Sequence, residues 1–217
     1  ENLGYCYYYG RTGEVDYKKA YHYFVKGALD GKGIYKWPNG NVYEGNFIDG
    51  VGNGKGKFVW ANGDTYEGDF VNGVKNGVAK CSYADGSTFE GEYKDGLPYK
   101  GLFVSSLGEF DGTFRDGIIF SGTLKTPAGD LYKGGFADNK YDGHGILTTV
   151  DGDNLDGEFS AGILSGKGKV VHANGKIDEG DFVDGVLSGK GKETLVDGEI
   201  YEGDFVEGKI YGKGKMV

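Results

Sequence analysis

Lysines flanked by glycines are the first residues in this sequence whose spacing suggests chemistry. The segment GKGK occurs at 54–57, 166–169, 189–192 and 212–215. Glycine beside lysine is typical of loops that cradle phosphate. Such a loop, however, places four residues between its first glycine and a Gly-Lys pair that Ser or Thr follows, and it leads into a helix. Neither feature follows GKGK, so we predict no phosphate-loop chemistry.

Paired carboxylates are the second candidate, because two neighbouring acids serve acid–base catalysis or bind calcium. The pairs are Glu67/Asp69, Glu90/Glu92, Glu179/Asp181 and Glu202/Asp204. They recur throughout the chain beside lysine positions. We therefore interpret them as an exposed ionic face, in which single pairs stabilise only slightly.

Histidine and cysteine are too sparse for a metal centre or a catalytic group. The histidines are His22, His144 and His172, and the two cysteines, Cys6 and Cys81, lack the spacing of metal ligands. No serine lies in a GxSxG segment, and no nucleophile, base and orienting residue can be grouped. The sequence predicts a protein that is not an enzyme, with no metal and no cofactor.

Composition narrows the class of protein. The 217 residues include 44 glycines, 17 tyrosines and 13 phenylalanines, and the formal net charge is −9. Glycine together with aromatic residues is typical of many short strands joined by tight turns. The net negative charge argues against nucleic acid and makes direct membrane binding less favoured. Two distant cysteines favour a reducing compartment, so we expect an intracellular protein.

A repeat of about 23 residues organises the chain and explains why these groups recur. Counting back one period from Tyr43 starts the repeat region near Ala20, which makes nine units over 20–217. We interpret residues 1–19 as a degenerate repeat or cap, with a truncated earlier repeat as the equal alternative. The first positions of the clear units are Tyr43, Tyr66, Phe89, Phe110, Tyr132, Leu155, Asp178 and Tyr201.

Each unit predicts two short strands. In YEGDF (66–70) and GKGKFVW (54–60), aromatic or glycine residues alternate with charged ones, which indicates strands. We expect a glycine-rich turn such as DGVGNG (49–54) within a unit, and an Asn-Gly or Asp-Gly loop between units. A loop of three or five residues places Phe58 on one face with Tyr66 and Lys57 on the other face with Glu67, whereas a two-residue loop does not. The predicted fold is all-β, a single-layer twisted antiparallel ladder with one aromatic and one ionic face.

Two units depart from the pattern. The turn regions DGLPYKG (95–101) and DGIIFSG (116–122) each have one residue fewer than DGVGNGKG. We predict a local bend, altered twist or wider groove around residues 95–128, with neutral variation in loop length as the alternative.

The unit beginning YEGDFVNG, with its Gly-x-Gly and closing Asn-Gly or Asp-Gly, resembles the MORN repeat (membrane occupation and recognition nexus) over residues 20–217. The departures are Leu155 and Asp178 at the aromatic start, Lys133 for glutamate and the two shortened units. The resemblance implies an open rolled β-ladder with a groove. It also implies a role as a scaffold in cytoskeletal or membrane-associated assemblies, since no SET or lipid-kinase segment accompanies the repeats.

An aromatic-lined groove is the predicted partner site, because aromatic side chains dominate interface energetics. We expect it to bind a protein partner as a peptide or an amphipathic helix. The end strands, above all 212–217, offer a second mode, edge pairing into a homodimer. The predicted groove residues are Trp37, Tyr43, Phe47, Trp60, Tyr66, Phe70, Tyr83, Phe89, Tyr93, Phe110, Phe114, Tyr132 and Phe136.

The alternative function is phosphoinositide binding by lysines that stack at equivalent positions of successive units. Each row lies beside a row of acids, which weakens this alternative. The predicted lipid-binding residues are Lys55, Lys57, Lys167, Lys169, Lys190, Lys192, Lys213 and Lys215.

Overall fold

The computed structural model describes residues 5–8, by their backbone alone, and residues 30–216. Contacts divide the chain into two compact units, Glu1–Ser106 (unit 1) and Leu107–Val217 (unit 2). The residues described form strands, turns and loops but no helix, and so no helix among them could cross a membrane. The predicted division into 1–19 and 20–217 stays a prediction, because most of residues 1–29 lie outside the described part.

Unit 1 is an antiparallel sheet in which each strand pairs with the next along the chain. Its first strand lies within the predicted cap and pairs with the second, Tyr7 opposite Ile34. The strands are β1 (Tyr5–Tyr8), β2 (Gly31–Lys36), β3 (Val42–Ile48), β4 (Val51–Val59), β5 (Thr65–Val71), β6 (Val74–Ser82), β7 (Thr88–Lys94) and β8 (Leu97–Ser105).

Unit 2 repeats the same construction, again with sequential antiparallel pairing. The predicted fold class, an all-β antiparallel ladder of hairpins, is thereby confirmed. Its strands are β9 (Gly108–Arg115), β10 (Ile118–Lys125), β11 (Leu131–Ala137), β12 (Lys140–Thr148), β13 (Asn154–Ser160), β14 (Ile163–Val171), β15 (Ile177–Val183), β16 (Val186–Thr194), β17 (Ile200–Val206) and β18 (Lys209–Met216).

The loops between units have the predicted odd length. Phe58 lies opposite Tyr66 and Lys57 opposite Glu67. The Trp60 N–H donates to the Asp64 carbonyl at 2.9 Å, which closes a loop of three residues. This register pairs aromatic side chains on one face and lysine with glutamate on the other, which is the arrangement for which the odd loop was predicted.

The backbone conformations of the two kinds of turn differ from the prediction. Within the unit, a two-residue turn at Asp49-Gly50 has positive φ at both residues, 47° and 78°. Strand β4 therefore begins at Val51, and DGVGNG is not all turn. In the loop after β4, Gly63 has a φ of 95° but Asn62 does not share the left-handed conformation. The Asn62 side chain instead accepts a hydrogen bond from the Asp64 N–H at 3.1 Å.

The residues that follow each two-residue turn form a bulge. Between the pairs Gly45–Gly56 and Phe47–Gly52, β4 has two more residues than β3. In the shortened hairpins, β8 has one extra residue over β7, and β10 has one over β9. The missing residue thus shortens a bulge and leaves the pairing intact, while the bend expected around 95–128 stays a prediction.

The core consists of rings seated over glycines. The Tyr43 ring covers Gly56, where an added Cβ would lie 2.5 Å from the Tyr43 hydroxyl oxygen. Its hydroxyl donates to the Asn46 carbonyl at 3.0 Å, and desolvation raises the pKa of Tyr43 to about 12. Glycine is required here because any side chain would displace the ring.

Leucines fill the core where the starting aromatic is absent. In the units that begin at Leu155 and Asp178, Leu164 and Leu187 are 1% and 3% exposed. Both project over the glycine pair of their unit. Leu187 lies opposite Phe182, the position that Gly52 has opposite Phe47. The aromatic rings missing at Leu155 and Asp178 are therefore replaced by leucines nine residues further along the chain.

Candidate functional site

The predicted groove residues fall into two groups when their exposure is compared. Most of them are core residues, and a side chain without exposed surface cannot touch a partner. As a partner site, the prediction is therefore kept only for Trp37, Trp60 and Tyr83, which are half-buried. The buried residues are Tyr43, Phe47, Tyr66, Phe70, Phe89, Tyr93, Phe110, Phe114, Tyr132 and Phe136.

The half-buried rings of unit 1 form one row, which we call the aromatic ledge. From Tyr35 to Trp60 the row is continuous, with ring centroids 4.5, 5.3 and 4.5 Å apart. Further along, Tyr83 and Phe103 make an edge contact at 6.4 Å. The ledge comprises Tyr35, Trp37, Phe58, Trp60, Tyr83 and Phe103.

Strand ends position the outer rings of the ledge. Trp37, Trp60 and Tyr83 each follow the last residue of a strand, β2, β4 and β6 respectively. At each of them the backbone N–H donates at 2.9 Å to the carbonyl four residues on, which holds the loop closed. Sequence reasoning omitted Tyr35 and Phe58 from the site. Alternation could have found them, because each lies two residues before a tryptophan and so shares its face.

A lysine fills the space behind Trp60. The ammonium of Lys75 lies 5.3 Å from the Trp60 ring centroid, 5.6 Å from that of Tyr66 and 5.0 Å from that of Tyr93. Cation–π attraction holds it there, while burial lowers its pKa. Nothing in the sequence indicates this contact, since Lys75 occupies the position of Gly52 in the preceding unit.

A buried thiol and two phenols connect Tyr83 to the core. The Cys81 sulphur lies 3.1 Å from the Tyr93 hydroxyl, which in turn lies 3.5 Å from the Tyr83 hydroxyl. Burial raises the pKa of Cys81 and of Tyr93, so both stay protonated at neutral pH. These contacts anchor Tyr83 to the core of unit 1.

The loops beside the ledge, 37–41, 60–64 and 83–87, contain two acids, Asp64 and Asp85, and no basic residue. The Asp64 carboxylate accepts a hydrogen bond from the Ala84 N–H at 2.8 Å and so ties one loop to the next. Hydrogen bonds from the hydroxyl and N–H of Ser87 lower the pKa of Asp85, which is therefore ionised at neutral pH.

The described residues of unit 2 include no tryptophan or tyrosine at the positions of the outer ledge rings. At the four positions that correspond to Trp37, unit 2 has Thr126, Thr149, His172 and Leu195, each directly after an even-numbered strand. Two units of one fold therefore differ in this surface, and the difference makes unit 2 an internal control for unit 1.

The ionic face of unit 1 contains a groove of about 930 Å³. Its floor is the line of small residues that pair across β2 to β6, from Gly33 to Ala79. Lys55 forms an ion pair with Asp69 at 2.7 Å, and Lys80 with Glu90 at 3.0 Å. The groove is lined by Lys32, Gly33, Glu44, Gly45, Asn46, Lys55, Gly56, Lys57, Glu67, Gly68, Val78, Ala79 and Lys80.

The lysines predicted to bind lipid are largely neutralised in unit 2. Lys167 and Lys190 lie 3.0 and 2.7 Å from Asp181 and Asp204, and Lys169 lies 3.7 Å from Glu179. Lys192 and Lys215 lie on strands β16 and β18 opposite Glu202, and the Lys213 side chain is outside the described residues. The lysines predicted to bind lipid therefore do not form a positive surface that is free of neighbouring acids.

Comparison with known families identifies this ladder. The model of the MORN repeat matches residues 23–42, 43–65, 66–88, 132–154, 156–177, 179–200 and 201–217, together more than half of the chain. The chain belongs to the MORN-repeat family. The unmatched residues 89–131 contain the two shortened MORN units, whose hairpins β7–β8 and β9–β10 are nevertheless formed.

Other comparisons add little to the MORN assignment. The sequence finds no match among curated proteins. One similar solved structure is the TCP domain of SAS-4 (dCPAP) of Drosophila melanogaster, in complex with a proline-rich motif of Ana2 (dSTIL). The alignment covers 80% of this chain and 84% of the SAS-4 chain, with 15% sequence identity and a TM-score of 0.32. We draw no argument about the MORN ladder from a likeness of that score.

One MORN repeat within unit 2 contains a partly buried ionic cluster. Asp178, 7% exposed, accepts hydrogen bonds through Oδ2 from His172 at 2.8 Å and from Lys176 at 3.0 Å. Lys176 also donates to Glu193 at 2.7 Å. The Oδ1 atom of Asp178 is buried without a hydrogen-bond partner. Within the described residues, no group of histidine, cysteine and acidic side chains has the arrangement of a metal site.

Proposed function

We propose that this MORN-repeat chain is a non-enzymatic protein-interaction scaffold that binds a partner segment on the aromatic ledge of unit 1. The observation that carries the proposal is the row of half-buried rings ending at Trp37, Trp60 and Tyr83. Large rings with one face packed and one face open are the side chains that supply most binding energy at protein interfaces. We expect the scaffold to act inside the cell, in a cytoplasmic, cytoskeletal or membrane-associated assembly.

Packing of the ledge on the core supports the proposal. Phe58 lies opposite the buried Tyr43 and Tyr66, and Lys75 fills the space between Trp60 and that core. A partner that binds a surface already held in place loses less conformational freedom than one that must order it.

Affinity purification with matched variants tests the proposal. The full chain, a Trp37→Thr/Trp60→Thr variant and a Leu195→Thr control are immobilised and exposed to extract from the source cells. Threonine is the residue that unit 2 has at these positions in Thr126 and Thr149, so the fold accommodates it. We expect proteins retained by the wild type and by the control to be lost with the tryptophan variant. Equal retention by all three would reject the ledge as the partner site.

A second candidate function is phosphoinositide binding in the groove of unit 1. The specific observation in its favour is that four lysines, Lys32, Lys55, Lys57 and Lys80, line one groove with only two acids. Against it, Lys55 and Lys80 are paired with acids. Flotation of vesicles with and without phosphoinositide, at two salt concentrations, decides between the functions. Salt-sensitive uptake that a Lys32→Gln/Lys57→Gln variant abolishes would favour lipid, and no uptake would favour the scaffold.

Self-association through an end strand is a further proposal for this scaffold. Strand β18 (Lys209–Met216) is the last strand of the chain described. Light scattering at several concentrations distinguishes a monomer from a dimer. A dimer that is disrupted by proline at a β18 position whose backbone N–H points away from β17 would support edge pairing.

A further inference from the structure

The outer rings of the aromatic ledge recur at equivalent strand ends. Trp37, Trp60 and Tyr83 follow β2, β4 and β6, so each is two strands from the next. Because neighbouring strands lie about 4.8 Å apart, the rings recur about every 9.6 Å across the sheet. A partner that lies across the strands meets equivalent rings at this interval.

Only one regular backbone matches that interval closely. A polyproline II helix repeats every three residues, about 9.3 Å. An α-helix brings the same face back after seven residues, about 10.5 Å, and loses register by about 1 Å at each ring. An extended strand returns to the same face every 6.6–6.8 Å or so, which misses the single interval and meets at best every second ring. The spacing therefore selects a polyproline II segment.

The chemistry of the ledge suits the same ligand. Proline-rich segments dock between aromatic rings because the rings offer flat apolar surface, and a pre-formed helix loses little entropy on binding. Neighbouring rings of the ledge, such as Trp37 and Phe58, have centroids 5.3 Å apart and are tilted by 40°, so they touch and form a continuous apolar surface.

The charge beside the ledge sets a second requirement for the ligand. The bordering loops carry Asp64 and Asp85 and no basic residue, and the ammonium of Lys75 faces the rings of Trp60 and Tyr93. The whole chain is also acidic, with a net charge of −9. A ligand that carries arginine or lysine beside its prolines is complementary to this border.

We infer that the aromatic ledge of unit 1 binds a proline-rich segment in the polyproline II conformation, with basic residues of that segment beside Asp64 and Asp85. The inference rests on the proposed function and names the chemical class of the partner. Unit 2, with Thr126, Thr149, His172 and Leu195 at the same positions, does not bind such a segment.

The chain contains a natural probe for this inference, because Trp37 and Trp60 are its only tryptophans. The full chain is titrated with a peptide of nine prolines followed by two arginines. We expect a saturable change in tryptophan emission. A peptide of the same length with alanine in place of proline serves as the control for backbone conformation, and we expect its affinity to be at least tenfold lower.

Variants locate the binding site by anisotropy of the fluorescein-labelled proline peptide. We expect Trp37→Thr and Trp60→Thr each to weaken binding at least tenfold, and Asp85→Asn to weaken it less and to reduce its dependence on salt. Leu195→Thr in unit 2 is expected to leave it unchanged. Circular dichroism of every variant confirms that loss of binding is not loss of fold.

Three outcomes would overturn the inference: no binding of the proline peptide, equal binding of the alanine peptide, or binding that the tryptophan variants do not affect. Failure of the proposed function is distinguishable from these. If ledge-dependent proteins are retained in the purification but the proline peptide does not bind, the scaffold stands and its ligand has another conformation. If no retained protein depends on the ledge, the scaffold proposal itself is rejected.

Discussion

The Cδ1 atom of Leu187 lies 2.9 Å from the point where a Cβ on Gly191 would be. The leucine thus covers a glycine that a tyrosine ring covers elsewhere, as Tyr43 covers Gly56. Its unit begins with Asp178, which provides no ring. The core of a MORN unit can therefore be completed from either strand of the hairpin.

Truncation of Leu187 tests whether a side chain on the second strand of a hairpin replaces the aromatic ring of the first strand. We expect Leu187→Ala to lower the free energy of unfolding by about 2–5 kcal/mol, because it leaves a cavity in a single-layer core. Ile210 has the same register position in the next unit but is 51% exposed. Ile210→Ala is therefore the matched control, with an expected loss of about 0.5 kcal/mol or less. Urea unfolding measures both, and equal losses would contradict the account.

Addition of a methyl group to the glycine line is the reverse experiment. Gly56→Ala places a Cβ 2.5 Å from the Tyr43 hydroxyl oxygen and 2.6 Å from Cε2 of the same ring. We expect a loss of about 1–3 kcal/mol from overpacking. Lys57→Ala, on the exposed face of the same strand, is the control and should change stability by about 0.5 kcal/mol at most. Thermal unfolding of the two variants makes the comparison.

The ionic cluster of unit 2 gives a prediction that depends on pH. Partial burial opposes the charge on Lys176, but hydrogen bonds with Glu193 and Asp178 outweigh it and raise its pKa above 10.5. A raised pKa contributes stability that is complete below pH 10.5 and is lost as the pH rises through the higher value. We expect Lys176→Met to cost about 1–3 kcal/mol at pH 7, since it leaves Asp178 and Glu193 without a cation.

Two comparisons make this prediction decisive. Lys190→Met breaks an exposed pair with Asp204, whose partners are 78% and 41% exposed, and should cost about 0–1 kcal/mol. The difference between wild type and Lys176→Met should be constant from pH 6 to about pH 9 and should shrink above pH 10.5. A difference that grows with pH would show that the sign of the coupling is wrong.

The buried thiol near the ledge should be unreactive in the folded protein. Burial raises the pKa of Cys81, and its sulphur lies 3.1 Å from the Tyr93 hydroxyl. In a Cys6→Ser background at pH 7.5, we expect alkylation by iodoacetamide to be at least about tenfold slower than in urea, because the sulphur of a side chain that is 5% exposed is shielded from the reagent and burial disfavours the reactive thiolate. Mass spectrometry follows the reaction, and equal rates would show that the thiol is open.

One turn has a residue poorly suited to its backbone. Ala161 has a φ of 51° in the two-residue turn between β13 and β14, where the other repeats have Asp or Asn, apart from Glu207 in the last one. Asparagine tolerates this left-handed conformation better than alanine does, so we expect Ala161→Asn to stabilise the protein by up to about 1 kcal/mol. Ala173→Asn, in a loop residue without positive φ, should have no effect. A stabilisation of equal size in both would contradict the backbone argument.

Sequence patterning alone predicted most of the fold. The period of 23 residues, the strand alternation and the odd loop are visible in residues such as Phe58, Tyr66, Lys57 and Glu67, and the observed pairs are those. Local rules suffice here, because a strand has a period of two and opposite charges pair across it. The turn at Asp49-Gly50 was harder to place, because the dipeptide after β4, Asn62-Gly63, looks the same in sequence but has different backbone angles.

The candidate site was only partly predictable. The sequence singled out Trp37, Trp60 and Tyr83 together with ten aromatics that the structure buries, and it could not separate the two groups. Exposure depends on what neighbouring strands place beside a ring, and those neighbours are ten to twenty residues away in the chain. Tertiary structure alone decided that Lys75 lies against Trp60 and that Leu187 replaces a ring. The sequence by itself determined a MORN ladder with an aromatic and an ionic face, whereas packing across strands determined which rings are left for a partner.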